Sequence, residues 1–522
     1  MTQEQRALLA GVLSLVVFLG WYQFFGKNLT PPSVSPPPPV VSSPAQEESV
    51  EDKATAAETP VNGFESNQVR WESSSRGGRL SSVFLKNYQI NLILSGQDKA
   101  LSLICSDCNF TLPAEDSYRL KSSREGEVIY EANAGGVRVR RVYRYSAQEG
   151  YPLGLEIGIE NHTSREISGE IGVTWKGAQK QQQTSSGFAS FAKRPADLRS
   201  FVYQVGGKIE HAGQHEEVKE ISGPVAWAGI EDRYFLMAII SRRLSSEGSL
   251  RMIRDLRSVS LAYTPGTISV APGGVHLENY TVYLGPKDRE VLKGLGVGLE
   301  GAIDYGVLSF FAIPILQLLL FFHTYLRNWG IAIIVLTIVV KLLLNPLSIK
   351  ALRQMKEMQK LQPKLTELKE KYKNDRQRLN LETMQLFKNH KVNPMGGCLP
   401  MVVQMPIYIA LYKVLYNSIE LYHAPFFGFY RDLSGPDPYF ILPILLGIFM
   451  VLQQKMSPTP SADPAQKQMM MLMPIMFTVF MLFLPIGLVL YILVNTLMTV
   501  SQQYLFQRGI KLRNFIGLAS RG

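Results

Sequence analysis

Residues 328–346 read NWGIAIIVLTIVVKLLLNP. Between Trp329 and Pro346 the only charge is Lys341, and at about 1.5 Å per residue the stretch nearly crosses a hydrocarbon core of about 30 Å. The next segment is its opposite: residues 347–397 carry twelve Lys or Arg against five Asp or Glu. An apolar run that empties into a basic one marks a membrane span entering the cytoplasm, where loops hold an excess of cations. Further apolar runs lie at 398–421, 439–455, 473–485 and 486–505. Upstream, Ala7 to Phe25 holds nineteen uncharged residues and ends in Trp21, Tyr22, Phe24 and Phe25. That aromatic belt, in place of a small-residue cleavage site, makes residues 1–25 a retained transmembrane anchor.

The loops give the orientation. From Arg508 onward the chain has Arg508, Lys511, Arg513 and Arg521 and no acid, whereas residues 422–438 hold one Arg and two Asp. The basic loop and the basic tail at 511–522 therefore face the cytoplasm, and with six spans so does the N-terminus. Residues 305–322 contain Pro314 and run into His323, Arg327 and Trp329. They are expected to lie along the membrane surface as an interfacial helix.

Of 522 residues, 46% are hydrophobic and 19% charged, with net charge +11. Disorder throughout, collagen and a disulfide scaffold are excluded. Residues 26–63, with prolines 36–39 and acids 47–52, form an extended spacer that cannot bury a core. Residues 64–304 alternate with period two at Val137, Val139, Val142, at Leu153, Leu155, Ile157, Ile159 and at Ile171, Val173, Trp175. They read as an antiparallel β-sandwich across the membrane from the cytoplasm, with Arg138, Arg140 and Arg144 on its solvated face. Cys105 and Cys108 form a C-x-x-C pair that is either a local disulfide or two thiols, without the βαβ context of a redox motif.

The sequence carries no phosphate-binding glycine loop, serine elbow or zincin motif. His211 and His215, beside Glu216, are four apart but sit among glycines in a loop rather than on one helix face. No enzyme activity, cofactor, metal or small-molecule substrate is expected. The informative residues are polar groups inside the spans. Lys341 precedes Lys350 by nine residues, about 13 Å along a helix, where a charge costs roughly 2.5 to 3.5 kcal/mol without a partner. Thr337 shares its face; Gln404 lies in the next span; Tyr491, Asn495, Thr499 and Gln502 recur at helical spacing in the last. Together they can line a wet groove. Lys413 lies near the outer end of its span and reads as snorkelling outward.

In the segment 347–392, apolar residues from Ile349 to Tyr372 recur at steps of three and four between cations, and Asp375 can cap a second helix. This is a basic helical hairpin whose Lys356, Lys360, Lys364, Arg376 and Arg378, with Lys511 and Arg513 of the tail, suit a nascent chain or ribosomal RNA.

The run from Lys391 through Asn393, Pro394, Met395, Gly396, Gly397 and Pro400 to Gln404, Pro406 and Tyr412 is similar to the third span of the YidC/Oxa/Alb family of membrane protein insertases. So are Leu361 to Lys364, Asp463 with Pro464, and Phe483 to Tyr491 with Pro485 and Gly487. The likeness covers about 305–510, the insertase membrane core. The anchor, spacer and β domain resemble the Gram-negative form. The resemblance implies a polytopic α-helical membrane protein with six transmembrane helices, five forming the core, and a periplasmic β-supersandwich. It implies a hydrophilic groove bearing a cation at Lys341, which inserts and helps fold inner-membrane proteins, alone or with the Sec translocon, in contact with ribosomes and membrane lipids. Lysine stands where many members carry arginine, and Ile492 follows Tyr491 where relatives can show a second tyrosine. A secondary transporter using Lys341 as substrate or coupling site is the competing reading, without an inverted repeat or an intramembrane acid to support it.

Overall fold

The computed structural model describes residues 61–93, 99–146, 150–179, 199–212, 218–243, 245–255, 257–373, 375–390, 392, 399–456 and 464–508. The anchor, almost all of the spacer, the tail with Lys511 and Arg513, His215 and Cys398 lie outside the described residues.

Two antiparallel sheets form the β domain. One runs Val61–Glu65, Val69–Ser74, Arg79–Leu85, Lys99–Ser106, Ile167–Ala178, Ser258–Thr264, Ser249–Arg254, Val218–Ser222, with Ile90–Asn91 and Thr267–Val270 added at its flanks. The other runs Lys208–His211, Ser200–Val205, Val225–Glu231, Phe235–Ser241, Val275–Pro286, Pro152–Asn161, Val137–Arg144, Glu127–Ala134, Arg119–Arg124. The inward faces share one core in which Trp71, Trp175, Trp227, Leu155 and Ile157 are buried. Period-two alternation puts them there: Val139, Arg141 and Tyr143 oppose Ile159, Ile157 and Leu155 across adjacent strands.

That register corrects one sequence expectation. Val142 lies on the opposite face of the strand, where it is nonetheless buried, and the inward position between Val139 and Tyr143 is taken by Arg141, 1% exposed. Its guanidinium donates to the carbonyls of Gly77, at 2.6 Å, and Leu101, and to the Tyr143 hydroxyl at 3.1 Å. Gly77, in a turn, and Leu101, inside the strand Lys99–Ser106, both have positive φ, and the buried cation satisfies their carbonyls. On the outward face Arg138 pairs with Glu160 at 2.9 Å and Arg144 with Glu156 at 2.8 Å. Cys105 and Cys108 are joined in a disulfide, and Gly169 leaves the room: a Cβ there would meet Cys108 Sγ.

The helices are α1 (Arg289–Gly294), α2 (Ser309–Leu326), α3 (Trp329–Lys371), α4 (Arg376–Asn389), α5 (Leu399–Asn417), α6 (Ile441–Met456), α7 (Pro464–Met481) and α8 (Ile486–Gln507). Among the described residues, Gly306–Leu326, Trp329–Lys371 and Ile486–Gln507 are long and apolar enough to cross a membrane, and Ile441–Met456 and Met471–Met481 are shorter apolar helices. Helix α3 is a single element of 43 residues that carries the span and the first arm of the hairpin without a break. Pro346, expected to end the span, is accommodated inside it. Asn328 caps its start through Ile331 N, and Asp375 caps α4 through Arg378 N at 2.9 Å.

Both ends of α2 reach the same end of the bundle. Its start is tied to the last turns of α5, where Asp304 takes Lys413 Nζ at 3.2 Å and Asn417 Nδ2 at 3.1 Å. Its finish abuts the first turn of α3, where His323 stacks on Trp329 at 3.7 Å. Lys413 thus has a carboxylate partner instead of a free, snorkelling ammonium. Burial would raise the Asp304 carboxyl, but Lys413 holds it below its ordinary value. The β domain docks at this end too: Arg233 Nε donates to Tyr416 O at 2.7 Å and Tyr422 packs among Tyr88, Tyr234 and Phe235.

Candidate functional site

Four helix-borne polar residues meet around Asn495. The i, i+4 spacing of Thr337 and Lys341 on α3 turns both toward α8, and the stripe Tyr491, Asn495, Thr499, Gln502 turns toward α3 and α5. Lys341 Nζ donates to Thr499 Oγ1 at 2.8 Å. Thr499 Oγ1 donates in turn to the Asn495 carbonyl at 2.7 Å, and Gln404 Nε2 donates to Asn495 Oδ1 at 3.0 Å. The Asn495 amide bonds the Tyr408 hydroxyl, whose ring meets Tyr491 edge-on at 5.7 Å. A helical turn beyond Lys341, Gln502 Nε2 reaches Asn345 Oδ1 at 3.3 Å.

Three helices are therefore bridged by one polar chain, with Lys341 4% exposed, Asn495 5%, Gln502 8% and Tyr491 1%, while Gln404, Tyr408 and Thr499 are half-buried. Among the described residues no carboxylate pairs with Lys341; its hydrogen-bond partner is a neutral hydroxyl. A cation in that setting holds part of its hydration debt unmet, and an entering anion would relieve it. Nothing in the set is arranged for bond-breaking chemistry: it has no nucleophile with a base, and among the described residues no His, Cys, Asp and Glu cluster to hold a metal.

Not every expected member joins. Thr337, 1% exposed, donates to Ile333 O of its own helix at 2.6 Å and makes no bond to Lys341. Two residues that the sequence analysis passed over do belong: Tyr408 and Asn345. Each lies four residues from a member already identified, Gln404 and Lys341, so helical spacing was the signal available.

The hairpin cations spread along a surface instead of converging. Lys360 pairs with Glu357 at 2.7 Å, Lys364 Nζ lies 3.2 Å from His390 Nε2, Lys356 sits 5.6 Å from the Phe506 ring and Arg378 5.6 Å from that of Tyr372. Helix α4 contains Arg376, and its Leu381 and Met384 are exposed. His211, on a strand of the β domain, is held by Glu231 Oε1 at 3.1 Å, while Lys287 Nζ takes the other oxygen at 3.0 Å.

Residues 321–513 match the family described as 60Kd inner membrane protein, and residues 63–318 match the YidC periplasmic domain. The chain is 37% identical to the membrane protein insertase YidC of Syntrophus aciditrophicus over 96% of this chain and 99% of that one. It is 36% identical to that of Geotalea daltonii over 96% and 98%. Among solved structures it is similar to an active YidC insertase with its first transmembrane domain resolved, at 18% identity and TM-score 0.37 over 86% of this chain and 95% of that one.

Proposed function

The chain belongs to the YidC family of membrane protein insertases, and on that premise we propose that the polar chain around Asn495 is the place where an entering polypeptide is received. As a member it is an insertase and not an enzyme, an inner-membrane protein with a periplasmic β domain, and its substrates are nascent membrane proteins. The observation that carries the proposal is Lys341: a buried ammonium, without a carboxylate partner among the described residues, in the middle of a bundle. A membrane protein retains such a cost where function uses it.

In this scheme an acidic residue near the substrate's N-terminus supplies the missing counter-charge. The neighbouring polar stretch exchanges its water for Gln404, Asn495, Thr499 and Gln502, which open their mutual hydrogen bonds to it. The apolar segment behind it then leaves sideways into lipid. No nucleotide is required, since burying some twenty apolar residues releases tens of kcal/mol at about 25 cal/mol per Å². Lysine has no bidentate fork, so the hold is a point charge and the carboxylate departs without losing two matched bonds.

The basic hairpin of α3 and α4, with Lys356, Lys360, Lys364, Arg376 and Arg378, and the tail with Lys511 and Arg513, face the cytoplasm and meet the ribosome and nascent chain. Both termini are cytoplasmic and six helices span. Helix α2 lies along the periplasmic surface, a reading supported by its two ends sharing one end of the bundle and by Phe310, 82% exposed, and Tyr325, 73% exposed. Partnership with the Sec translocon and with membrane lipids is part of the same proposal.

The test is reconstitution into liposomes with a single-span substrate bearing an acidic N-terminal segment, scored by protease protection. Wild type and Lys341→Arg insert it and Lys341→Ala does not. Equal insertion by Lys341→Ala would mean that the ammonium merely reaches for the cytoplasmic headgroups.

A further inference from the structure

The segment between α5 and α6 joins two membrane helices at the end where the β domain docks, and it sorts its side chains against the habit of a solvated loop. Its carboxylates Asp432 and Asp437 are engaged by the segment's own groups, and Asp437 is buried. Asp432 Oδ1 accepts from His423 N at 3.2 Å and from Ser434 N and Oγ at 2.8 and 2.6 Å. Asp437, 1% exposed, accepts from Tyr439 N, Leu442 N and the Tyr430 hydroxyl. Outward stand Phe427 (80% exposed), Tyr439 (60%), Phe429 (50%) and Phe440 (47%), with the cation Arg431 beside them. A connector that met only water would place these groups the other way round.

The segment is also firmly built. Phe426 O takes Asn328 Nδ2 at 2.7 Å, Phe426 N reaches Tyr430 O at 2.9 Å, and Ile486 N reaches Gly435 O at 2.7 Å, which fixes it to the starts of α3 and α8. Gly330 lets the Phe426 ring lie against α3: a Cβ there would fall within van der Waals overlap of that ring. Phe429 packs edge-on against Tyr439 at 4.9 Å. The tip residue Phe427 is thus presented from a fixed base, followed by Gly428 at φ 59.

What covers it is indicated by what it continues. From Tyr439 and Phe440 the exposed apolar stripe runs on without interruption through Ile441, Ile444 and Ile448 of α6, the face this apolar helix turns to lipid. Aromatic rings with a cation, and with the acids removed, are the composition of a surface that sits at the headgroup level. We infer that residues 425–440 are a phospholipid-binding surface, in which the rings of Phe427, Phe429 and Tyr439 enter the leaflet on the β-domain side and Arg431 meets lipid phosphate. The inference rests on α6 being in the membrane.

The test uses the full chain with Cys398→Ser, labelled with an environment-sensitive fluorophore at Phe427→Cys, at Ile444→Cys on α6, or at Glu125→Cys on an exposed turn of the β domain. Each is reconstituted in phosphatidylcholine–phosphatidylglycerol vesicles carrying lipid with a nitroxide on the acyl chain. Position 427 is expected to follow 444: blue-shifted emission, roughly twofold quenching by the nitroxide and little by aqueous iodide, with 125 showing the reverse. Water-like emission and iodide quenching at 427, while 444 is quenched by lipid, overturn the inference and leave the membrane core intact. Shielding at 427 without nitroxide quenching overturns it in favour of a protein cover. Loss of nitroxide quenching at 444 as well would remove the membrane placement on which it rests.

Discussion

Asn495→Asp separates a structural polar network from a functional cation, because it changes charge and almost nothing else. Asn495 Oδ1 already accepts from Gln404, and its other side-chain atom bonds the Tyr408 hydroxyl, which can donate to a carboxylate oxygen just as well. The network therefore survives the substitution. Lys341 is bonded to Thr499, four residues along the helix from 495, so it gains a resident anion at about 6 Å, the usual spacing of i,i+4 side chains. At an effective dielectric of about 20 that attraction is about 3 kcal/mol, and a substrate carboxylate must now compete with it. Insertion of a substrate with an acidic N-terminal segment is expected to fall by one to two decades, taking about 1.4 kcal/mol per decade and allowing for partial screening. Insertion of the same substrate with a neutral segment is expected to change little, and thermal stability in detergent is not expected to fall. The assay is protease protection in liposomes with the two substrates side by side. If both substrates lose equally, the polar chain is acting as structure; if neither loses, Lys341 does not meet the substrate charge.

Three further outcomes follow from the geometry. Arg233→Ala removes the guanidinium that bonds Tyr416 O at the end of α5 and lies 3.5 Å over its ring; a loss of about 2 to 4 kcal/mol in docking is expected, read as faster proteolysis between the β domain and the core. Gly330→Ala drives a methyl into the Phe426 ring, and the melting temperature of the core is expected to drop by several degrees, as overpacking costs of about 1 to 3 kcal/mol imply. For His211, burial opposes the charged form, but Glu231 outweighs it and the imidazole is raised above its ordinary 6.5. Its contribution is therefore full below that ordinary value and lost as pH rises through the folded one, so His211→Gln should destabilise the β domain more at about pH 5.5 than at about pH 8.5 in thermal melts.

How much of this could be read from the residues follows from what physical signal each part carries. The helices after residue 328 announce themselves because lipid demands long apolar runs and loop cations mark the cytoplasmic side. The continuity of α3 through Pro346 was not legible, since a proline ends a helix in water but is tolerated where side chains and solvent serve the freed carbonyl. In the β domain, alternation located Leu155, Ile157 and Trp175 correctly, yet it concealed Arg141, whose inward position depends on carbonyls of Gly77 and Leu101 some forty to sixty residues away in sequence. At the site, a lone charge in an apolar run picked out Lys341, and spacing along the last helix picked out Asn495, Thr499 and Gln502. It did not find that Thr337 turns to its own backbone, nor that Lys413 has Asp304 as partner, because both depend on which groups the fold brings near.

The central claim is that the acidic part of an incoming chain passes beside Lys341. The direct test is a photoreactive side chain placed at Gln404, at Thr499, or at Leu472 on the exposed face of α7, with a stalled nascent chain whose acidic N-terminal segment is radiolabelled. The account predicts adducts of that segment with positions 404 and 499 and not with 472, abolished by Lys341→Ala. Adducts confined to 472, with insertion proceeding normally, would contradict it.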